Sequence, residues 1–372
     1  MPSLSRLKKR PLAGPAVLII GPFNYPVSLV LSPLVGALAA GNPAVVKPSE
    51  LCPATEALFA KLIPQYFEKD AVACVTGGVP ETTALLKQPW GKIFFSGSAT
   101  VGKIVASAAA QTLTPVALEL GGKCPCYVDG PTCPRDIQQV ANRIIWSKLL
   151  NTGQTCAATD TLIIDESLMS TLIPALKKAL LTQYTDKPKQ SALGRIVTRK
   201  HAERQIQLLK EVEQDDKAKI ITGGIADCDV EDKYIAPPIV VKPASNTRLV
   251  KEEIFGPILP VVTVPNRKEA IRFMHECPVP HSACTFSRHP TLCSWKSPAR
   301  YPAARRCTTT VCSAPLLSRF PLAVWARAVR EVTTAGIPLI VSRTQCPSCT
   351  VPSFPVPTST CFGTIPTTIL SR

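Results

Sequence analysis

Short apolar segments alternate with amphipathic helical segments through the first 276 residues of this chain. Strand patterns occur in "AVLIIGPF", "PAVVKPS", "AVACVTGG", "KIFFSG" and "TPVALELGG", and helical periodicity fills the segments between them. Because each apolar segment is followed by a helix, the pattern is typical of βαβ units. The sequence therefore predicts an α/β fold with a parallel sheet.

A second α/β block follows the glycine pair Gly121–Gly122. Strand patterns occur here in "TLIID", "KAKIITGG" and "PPIVV", and helices are predicted at 134–150, 167–182 and 198–214. No internal repeat is present. We therefore expect two domains, 11–122 and 123–276.

The composition changes sharply near residue 277. Of the 26 acidic residues only Glu331 lies in the last 96 residues, which hold ten of the 42 Lys and Arg, thirteen of the 37 prolines and eight of the 15 cysteines. More than half of the net charge of +16, namely +9, thus belongs to this tail. We attribute the charge to an abnormal tail and expect no nucleic-acid partner.

Neither apolar segment near the N-terminus predicts a membrane span. The first stops at Gly21–Pro22, and no clean cleavage site follows it. The second, "PVSLVLSPLVGALAAG", has 16 residues with an internal Pro33, which is short for a span. The seven cysteines of residues 1–276 lack the spacing of a disulfide framework. We therefore expect a protein of a reducing compartment, the cytoplasm, without a transmembrane span.

Three polar side chains are candidates for chemistry, each with an ordinary alternative. Cys156 lies in the polar segment "NTGQTCAATD" and is either a nucleophile or one more buried thiol. Glu119 ends the strand pattern "LELGG" and is either a general base or a solvated acid at a strand end. Asn24 in "GPFNYP" either donates to a developing oxyanion or is a common turn residue.

Two further segments lie where α/β sheets bind ligands. "KPSE" puts Lys47 and Glu50 at the end of the second strand. "FFSGSATVGK" puts Gly97 and Ser98 at a strand-to-helix turn and Gly102 in the helix, where free N–H groups suit a phosphate. The spacing differs from G-x-G-x-x-G, so an ordinary turn remains an alternative.

The order of the motifs is more specific than any one of them. "IIGPFNYP", "GNPAVVKPSE", "FFSGSATVGK", "LELGGK", "NTGQTC" and "EEIFGP" follow one another along the chain. In this order the chain resembles the aldehyde dehydrogenase superfamily, most closely its branch of fatty-aldehyde and broad-substrate enzymes. The resemblance covers residues 11 to about 275. It implies a Rossmann-type cofactor domain followed by an α/β catalytic domain.

The resemblance also implies a role for each candidate. Cys156 matches the nucleophile, Glu119 the general base and Asn24 the oxyanion donor. The residues that match the binding site for NAD or NADP are Lys47 and Glu50 for the adenosine ribose, Gly97, Ser98 and Gly102 for the pyrophosphate, and Glu253 and Phe255 for the nicotinamide ribose and ring. The implied reaction oxidises an aldehyde through a cysteine thiohemiacetal and thioester, without a metal.

Two positions depart from the pattern of the superfamily. Phe23 stands where it usually has tryptophan. Thr159 stands where this branch often has proline, and we expect a looser nucleophile loop.

The resemblance is incomplete at both ends. The chain enters the pattern at "RPLAGPAVLII", without the preceding elements, and nothing after residue 277 resembles the remaining catalytic segments. Because relatives use these elements in their subunit interface, we expect the homodimer to be compromised. An inactive truncated remnant is therefore the alternative function. "CPSC" at 346–349 lacks a second cysteine pair, so we expect no metal there.

The tail has the features of an out-of-frame translation. Codons for "LAVWARAV" at 322–329 can be regrouped to encode G-G-V-G-E-S-G, and those for the following "REVTTAG" permit S-G-S-Y-H-G. These strings resemble the missing end of the branch. We therefore expect 277–372 to be irregular, without a paired strand, and its cysteines and charge to have no function.

Overall fold

Five parallel strands form the first sheet of the computed structural model. The structure describes residues 14–130 and 136–276, and the backbone of 285–287, 294–295 and 307–308. The strands lie in the order β3-β2-β1-β4-β5. They are β1 (Val17–Ile20), β2 (Ala44–Lys47), β3 (Val72–Cys74), β4 (Lys92–Gly97) and β5 (Val116–Leu120). The predicted α/β fold with a parallel sheet is confirmed.

Helices cover both faces of this sheet, which explains its continuous apolar strands. Leu18 and Ile19 of β1 are both fully buried although they point to opposite faces. Val30 packs with Ile19 on one side, and Val105 packs with Leu18 on the other. The helices are α1 (Ser28–Ala39), α2 (Pro53–Tyr66), α3 (Val79–Leu86) and α4 (Ala99–Ala110).

A mixed sheet of six strands follows in the order β11-β6-β7-β10-β9-β8. Only β8 and β9 pair antiparallel. Its strands are β6 (Pro125–Val128), β7 (Thr161–Asp165), β8 (Lys219–Thr222), β9 (Ile239–Val241), β10 (Leu259–Val264) and β11 (Thr285–Ser287). Its helices are α5 (Ile137–Leu149), α6 (Met169–Tyr184), α7 (Arg199–Glu213), α8 (Arg248–Lys251) and α9 (Arg267–Glu276).

Five of these elements were not predicted from the sequence pattern: β6, β10, β11, α8 and α9. Strand β10 pairs with neighbours on both sides although it contains Pro260, a residue that argues against a central strand. Strand β6 also begins with proline, and its four residues are all buried. The two sheets lie on either side of Gly121–Gly122, and on that basis we propose the domains 11–122 and 123–276.

Strand pairing continues past residue 277. The backbone of β11 pairs parallel with β6, with Thr285 opposite Cys126. Strand β12 (Ser294–Trp295) pairs antiparallel with β13 (Cys307–Thr308). The expectation that no paired strand follows residue 277 is therefore wrong for these segments, since β11 satisfies backbone groups that β6 would otherwise expose at the sheet edge. The segments "LAVWARAV" and "CPSC" lie outside the described residues.

The apolar helix α1 is a part of the globular fold. Its 12 residues include Pro33, which is buried against the sheet, while Leu31 and Val35 are exposed one turn apart on the opposite face. Within the described residues, neither this helix nor any other has the length and apolar character needed to cross a bilayer.

Candidate active site

The predicted motifs meet because parallel strands end at one edge of a sheet. Lys47 ends β2, Gly97 ends β4, and Glu119 lies near the end of β5, while Asn24 follows β1. In the ladder, Glu119 stands opposite Ser96 of β4. The strand order changes direction between β1 and β4, and α/β folds bind ligands in the crevice at such a point.

Lys47 and Glu50 form an ion pair at this edge. Lys47 Nζ lies 2.7 Å from Glu50 Oε2 and also donates to the Pro48 carbonyl at 3.0 Å. Lys47 is only 2% exposed, so its ammonium is held rigidly. Partial burial raises the pKa of Glu50, but hydrogen bonds, foremost that from Lys47, outweigh it and hold this pKa below its usual value.

The turn between β4 and α4 is tightly packed. Ser98 caps α4, and its Oγ accepts from the Val101 N–H at 3.3 Å. A Cβ at Gly102 would lie 2.7 Å from a Leu120 methyl group, so only glycine lets α4 approach the sheet so closely. Ser96 Oγ is buried without a hydrogen-bond partner among the described residues. The start of α4 is thus packed closely on the sheet, and the buried Ser96 hydroxyl lies two residues before its capping residue.

The loop that carries Cys156 is tied to the turn after β1. Asn151 Nδ2 donates to the Asn24 carbonyl at 2.8 Å, and the hydroxyls of Tyr25 and Thr155 are 2.8 Å apart. These bonds bring "GPFNYP" against "NTGQTC" across about 130 residues of sequence. The bond to Asn24 involves its main-chain carbonyl and not its side-chain amide. The role of the Asn24 side chain as an oxyanion donor therefore stays a proposal.

Thr159 anchors the far end of this loop. Its Oγ1 shares a 2.7 Å hydrogen bond with Ser147 Oγ of α5, and the residue is 4% exposed. The hydroxyl supplies a tie to the helix that proline would lack. The expected looser loop stays a prediction.

Cys156 lines a small pocket between the two sheets. The other residues of the pocket are Gly122, Lys148, Gly153, Thr155, Ala158, Asp160, Glu253 and Phe255. Burial, together with the carboxylates of Glu253 and Glu119, raises the pKa of the Cys156 thiol to about 11. The backbone N–H groups of Cys156 and Ala157 act in the opposite direction. The structure thus brings Cys156, Glu119 and Glu253 within electrostatic reach of one another.

The carboxyl group of the pocket with a near-neutral pKa is Glu253. Burial raises its pKa to about 7, while a hydrogen bond from the Gly122 N–H and the charge of Arg204 oppose the rise and Asp160 adds to it. Its carboxylate lies where a Cβ of Gly121 would be, so a larger residue than glycine at position 121 would clash with Glu253. Sequence reasoning assigned Glu253 only to the cofactor and missed its position beside the thiol.

Helix α7 holds the "EEIFGP" segment in place. Arg204 donates to the carbonyls of Glu253 and Ile254, each at 2.8 Å, and Gln205 donates to Ile254 at 2.9 Å. Phe255 has a φ of 51°, and its ring meets that of Phe23 edge to face at 5.8 Å. The phenylalanine that replaces tryptophan therefore keeps an aromatic contact with the candidate nicotinamide residue.

A buried ion pair, missed by the sequence analysis, joins three motifs. Lys123 Nζ contacts Asp160 Oδ2, and both side chains are almost fully buried. Lys123 also donates to the Glu252 carbonyl at 3.1 Å, and Asp160 accepts from the Ile254 N–H at 2.9 Å. The pair thus links "LGGK", "TCAATD" and "EEIF". The available signal was a charged residue at the end of each of the first two segments.

A third buried charge, Lys148, lies beside this pair. It lies in the last turn of α5, is 1% exposed and lines the pocket. Burial lowers its pKa to about 8, and Asp160 opposes that shift. Over the described parts of the chain, no group of three His, Cys, Asp or Glu side chains has a geometry that could hold a metal.

The family model described as "Aldehyde dehydrogenase family" matches residues 2–295. The chain belongs to the aldehyde dehydrogenase family. It is 45% identical over 283 residues to aldehyde dehydrogenase family 3 member B1 of Rattus norvegicus. It is 44% identical over 274 residues to the dimeric NADP-preferring aldehyde dehydrogenase of Mus musculus. These alignments cover 76% and 73% of this chain and 58% of each relative.

The fold agrees with that of solved aldehyde dehydrogenases. A substrate-bound structure of Staphylococcus aureus AldH superimposes with a TM-score of 0.69 and 40% identity. That match covers 74% of this chain and 58% of the Staphylococcus protein. The chain therefore spans little more than half the length of the aldehyde dehydrogenases that it matches.

Proposed function

We propose that this chain oxidises an aldehyde to a carboxylic acid with NAD or NADP, using Cys156 as the nucleophile. The observation that carries the proposal is that Cys156 and Glu253 line one pocket and that the carboxylate of Glu119 is close enough to act on the Cys156 thiol. Family membership supports the reaction class. The mouse relative is named as NADP-preferring, which supports this cofactor class.

The residues present fit a dinucleotide. Lys47 and Glu50 offer a fixed donor and acceptor at the end of β2 for a ribose. The N-terminus of α4 at Ser98 offers backbone N–H groups for a pyrophosphate, and Gly97 and Gly102 keep that turn narrow. Glu253 and Phe255 lie at the pocket, where we assign them to the nicotinamide ribose and ring. When bound, the cofactor supplies the hydride acceptor.

The side chains then divide the reaction among them. The Cys156 thiolate attacks the aldehyde carbon and forms a thiohemiacetal. The Asn24 amide and the Cys156 N–H donate to the oxyanion, and losing one such donor costs about 100- to 1,000-fold in rate. After hydride loss leaves a thioester, Glu119 takes a proton from the water that hydrolyses it. The Cys156 N–H faces its own sulfur, which supports this assignment.

The thiol of the cofactor-free protein should react slowly at neutral pH. Because the pKa of Cys156 is about 11, its thiolate fraction, and with it the iodoacetamide alkylation rate, should rise about tenfold per pH unit from pH 7 to 10. Glu253→Gln removes a nearby negative charge and should raise the rate at pH 8.5 about threefold or more. Glu252→Gln is the matched control, since Glu252 pairs with Arg204 and Arg248 instead. A rate that does not change between pH 7 and 9 would contradict the raised pKa.

The direct test is turnover by the purified full chain. The substrates are hexanal or benzaldehyde with either NAD or NADP. We expect the absorbance of the reduced cofactor at about 340 nm to increase and the carboxylic acid to form in equal amount, about one molecule per hydride transferred. The alternative is an inactive remnant that keeps the motifs. Absence of turnover by folded, cofactor-binding protein would establish that alternative.

We propose further that the end of the chain is translated out of frame. The family match continues to residue 295, so we place the break after that residue and not at 277. The absence of acidic residues other than Glu331 and the regrouped codons of 322–329 support the proposal. Sequencing the transcript should reveal an indel or a retained intron upstream of 322. A continuous coding frame through the whole segment would refute the idea.

We propose the cytoplasm as the compartment. None of the six cysteines among the described residues forms a disulfide, as is usual in a reducing environment.

A further inference from the structure

A second thiol, that of Cys124, contacts the main chain of the candidate nucleophile Cys156. Cys124 Sγ donates to the Cys156 carbonyl at 3.0 Å. The Cys124 carbonyl in turn accepts from the Asp160 N–H at 2.9 Å. Strands β6 and β7, which follow the two cysteines, pair from their first residues, Pro125 opposite Thr161. The sheet therefore holds Cys124 and Cys156 together although 32 residues separate them.

The two sulfur atoms are within reach of a bond. A carbonyl oxygen lies about 2.4 Å from its own Cα, so Cys124 Sγ is at most about 5.4 Å from the Cys156 Cα. In a disulfide the corresponding distance is about 4 Å. A change of the Cys156 rotamer and a shift of about 1 to 2 Å in the loop therefore suffice. Residues 154–160 form an irregular segment, outside any strand or helix, that can absorb such a shift.

Burial separates the roles of the two thiols. Cys156 lines the pocket and is partly exposed, whereas Cys124 is 5% exposed and lies behind it. A small oxidant entering the pocket therefore meets Cys156 first. The buried Lys148 ammonium lies close enough to Cys124 for their charges to interact. Lys123 and Asp160, both buried, also interact with Lys148.

We propose that Cys124 and Cys156 form a reversible disulfide when a hydroperoxide oxidises the pocket; this rests on Cys156 being the accessible reactive thiol of the proposed function. The Cys156 thiolate attacks the peroxide, the O–O bond breaks, and a sulfenic acid forms while hydroxide leaves and is protonated to water. Cys124 loses its proton and attacks the Cys156 sulfur, and the S–O bond breaks to release a second water. Two thiols and one hydrogen peroxide thus give one disulfide and two waters.

The disulfide protects the nucleophile from irreversible loss. A sulfenic acid without a neighbouring thiol is oxidised further to sulfinic acid, which dithiothreitol does not reduce. A disulfide at Cys156 is inactive, but a thiol reductant restores it. The pocket is therefore switched off reversibly by oxidant.

Peptide mapping of the full chain tests the proposal without any need for activity. Trypsin should release Cys124 in peptide 124–135 and Cys156 in peptide 149–177. After hydrogen peroxide treatment and alkylation, we expect these peptides to be joined, with fragment ions that place the bond at Cys124 and not at Cys126 or Cys133. Dithiothreitol should separate them again.

Two variants sharpen the result. Cys124→Ser should abolish the cross-link, allow dimedone to label Cys156, and increase Cys156 sulfinic acid at least about fivefold. Cys52→Ser is the matched control, because Cys52 Sγ makes the same type of contact with the Phe23 carbonyl, at 3.3 Å. It should oxidise like the wild type. Dimedone labelling of Cys156 in Cys124→Ser without a cross-link in the wild type would overturn the disulfide alone. If Cys156 is neither labelled by dimedone nor cross-linked, the disulfide is overturned as well. The turnover assay tests the proposed function separately.

Discussion

Cys156→Ala should lower aldehyde turnover at least about 1,000-fold, because no other group in the pocket can form the covalent intermediate. Binding of the cofactor should change less than about twofold, since Cys156 is not among the residues assigned to it. Turnover is measured by absorbance of the reduced cofactor, and binding by fluorescence titration.

The matched control for this substitution is Cys74→Ala. Burial raises the pKa of Cys74 to about 11, like that of Cys156, but Cys74 ends β3 at the edge of the first sheet and does not line the pocket. Its variant should keep wild-type turnover. If Cys156→Ala retained more than about a tenth of the wild-type rate, Cys156 could not be the nucleophile.

Asp160→Asn should lower the free energy of unfolding by about 3 to 5 kcal/mol, because it leaves the buried Lys123 ammonium without its counter-charge. The same substitution weakens the link between "TCAATD" and "EEIF", as Asp160 also accepts from the Ile254 N–H. Urea unfolding followed by circular dichroism gives the change, provided the slope of the transition stays constant.

Replacing both charged residues tests whether burial of an unpaired charge causes the loss of stability. Lys123→Met combined with Asp160→Leu should be more stable than either single variant, because the double variant leaves neither member of the pair buried without the other. Arg199→Gln breaks exposed ion pairs with Glu203 and Glu231 and should cost less than about 1 kcal/mol. If Asp160→Asn lowered the free energy of unfolding by less than about 1 kcal/mol, as expected for an exposed ion pair, the buried pair would not have the proposed stabilising role.

The candidate site was predictable where its residues belong to local patterns. Lys47, Gly97 and Glu119 each lie at the end of an apolar segment that the alternating pattern identifies as a strand. Since parallel strands end at the same edge, their proximity follows from topology alone. Cys156 and Glu253 belong to no such strand pattern. They were predicted as site residues only from the order of the six motifs.

Elements with mixed signals were not predictable in the same way. Strand β10 contains Pro260, and β6 is four residues long with a proline at its start. Their strand conformation is decided by neighbours on the sheet, which supply backbone hydrogen bonds that a local pattern does not encode.

The sequence alone determined the family, the α/β class and the identity of the candidate nucleophile, because each of these depends on residue types in order along the chain. Only the tertiary structure decided what surrounds that nucleophile. The Lys123–Asp160 pair, the near-neutral pKa of Glu253 and the contact of Cys124 with Cys156 all arise between segments distant in sequence. Burial and electrostatic interactions depend on distance in space, and packing of the two sheets sets that distance.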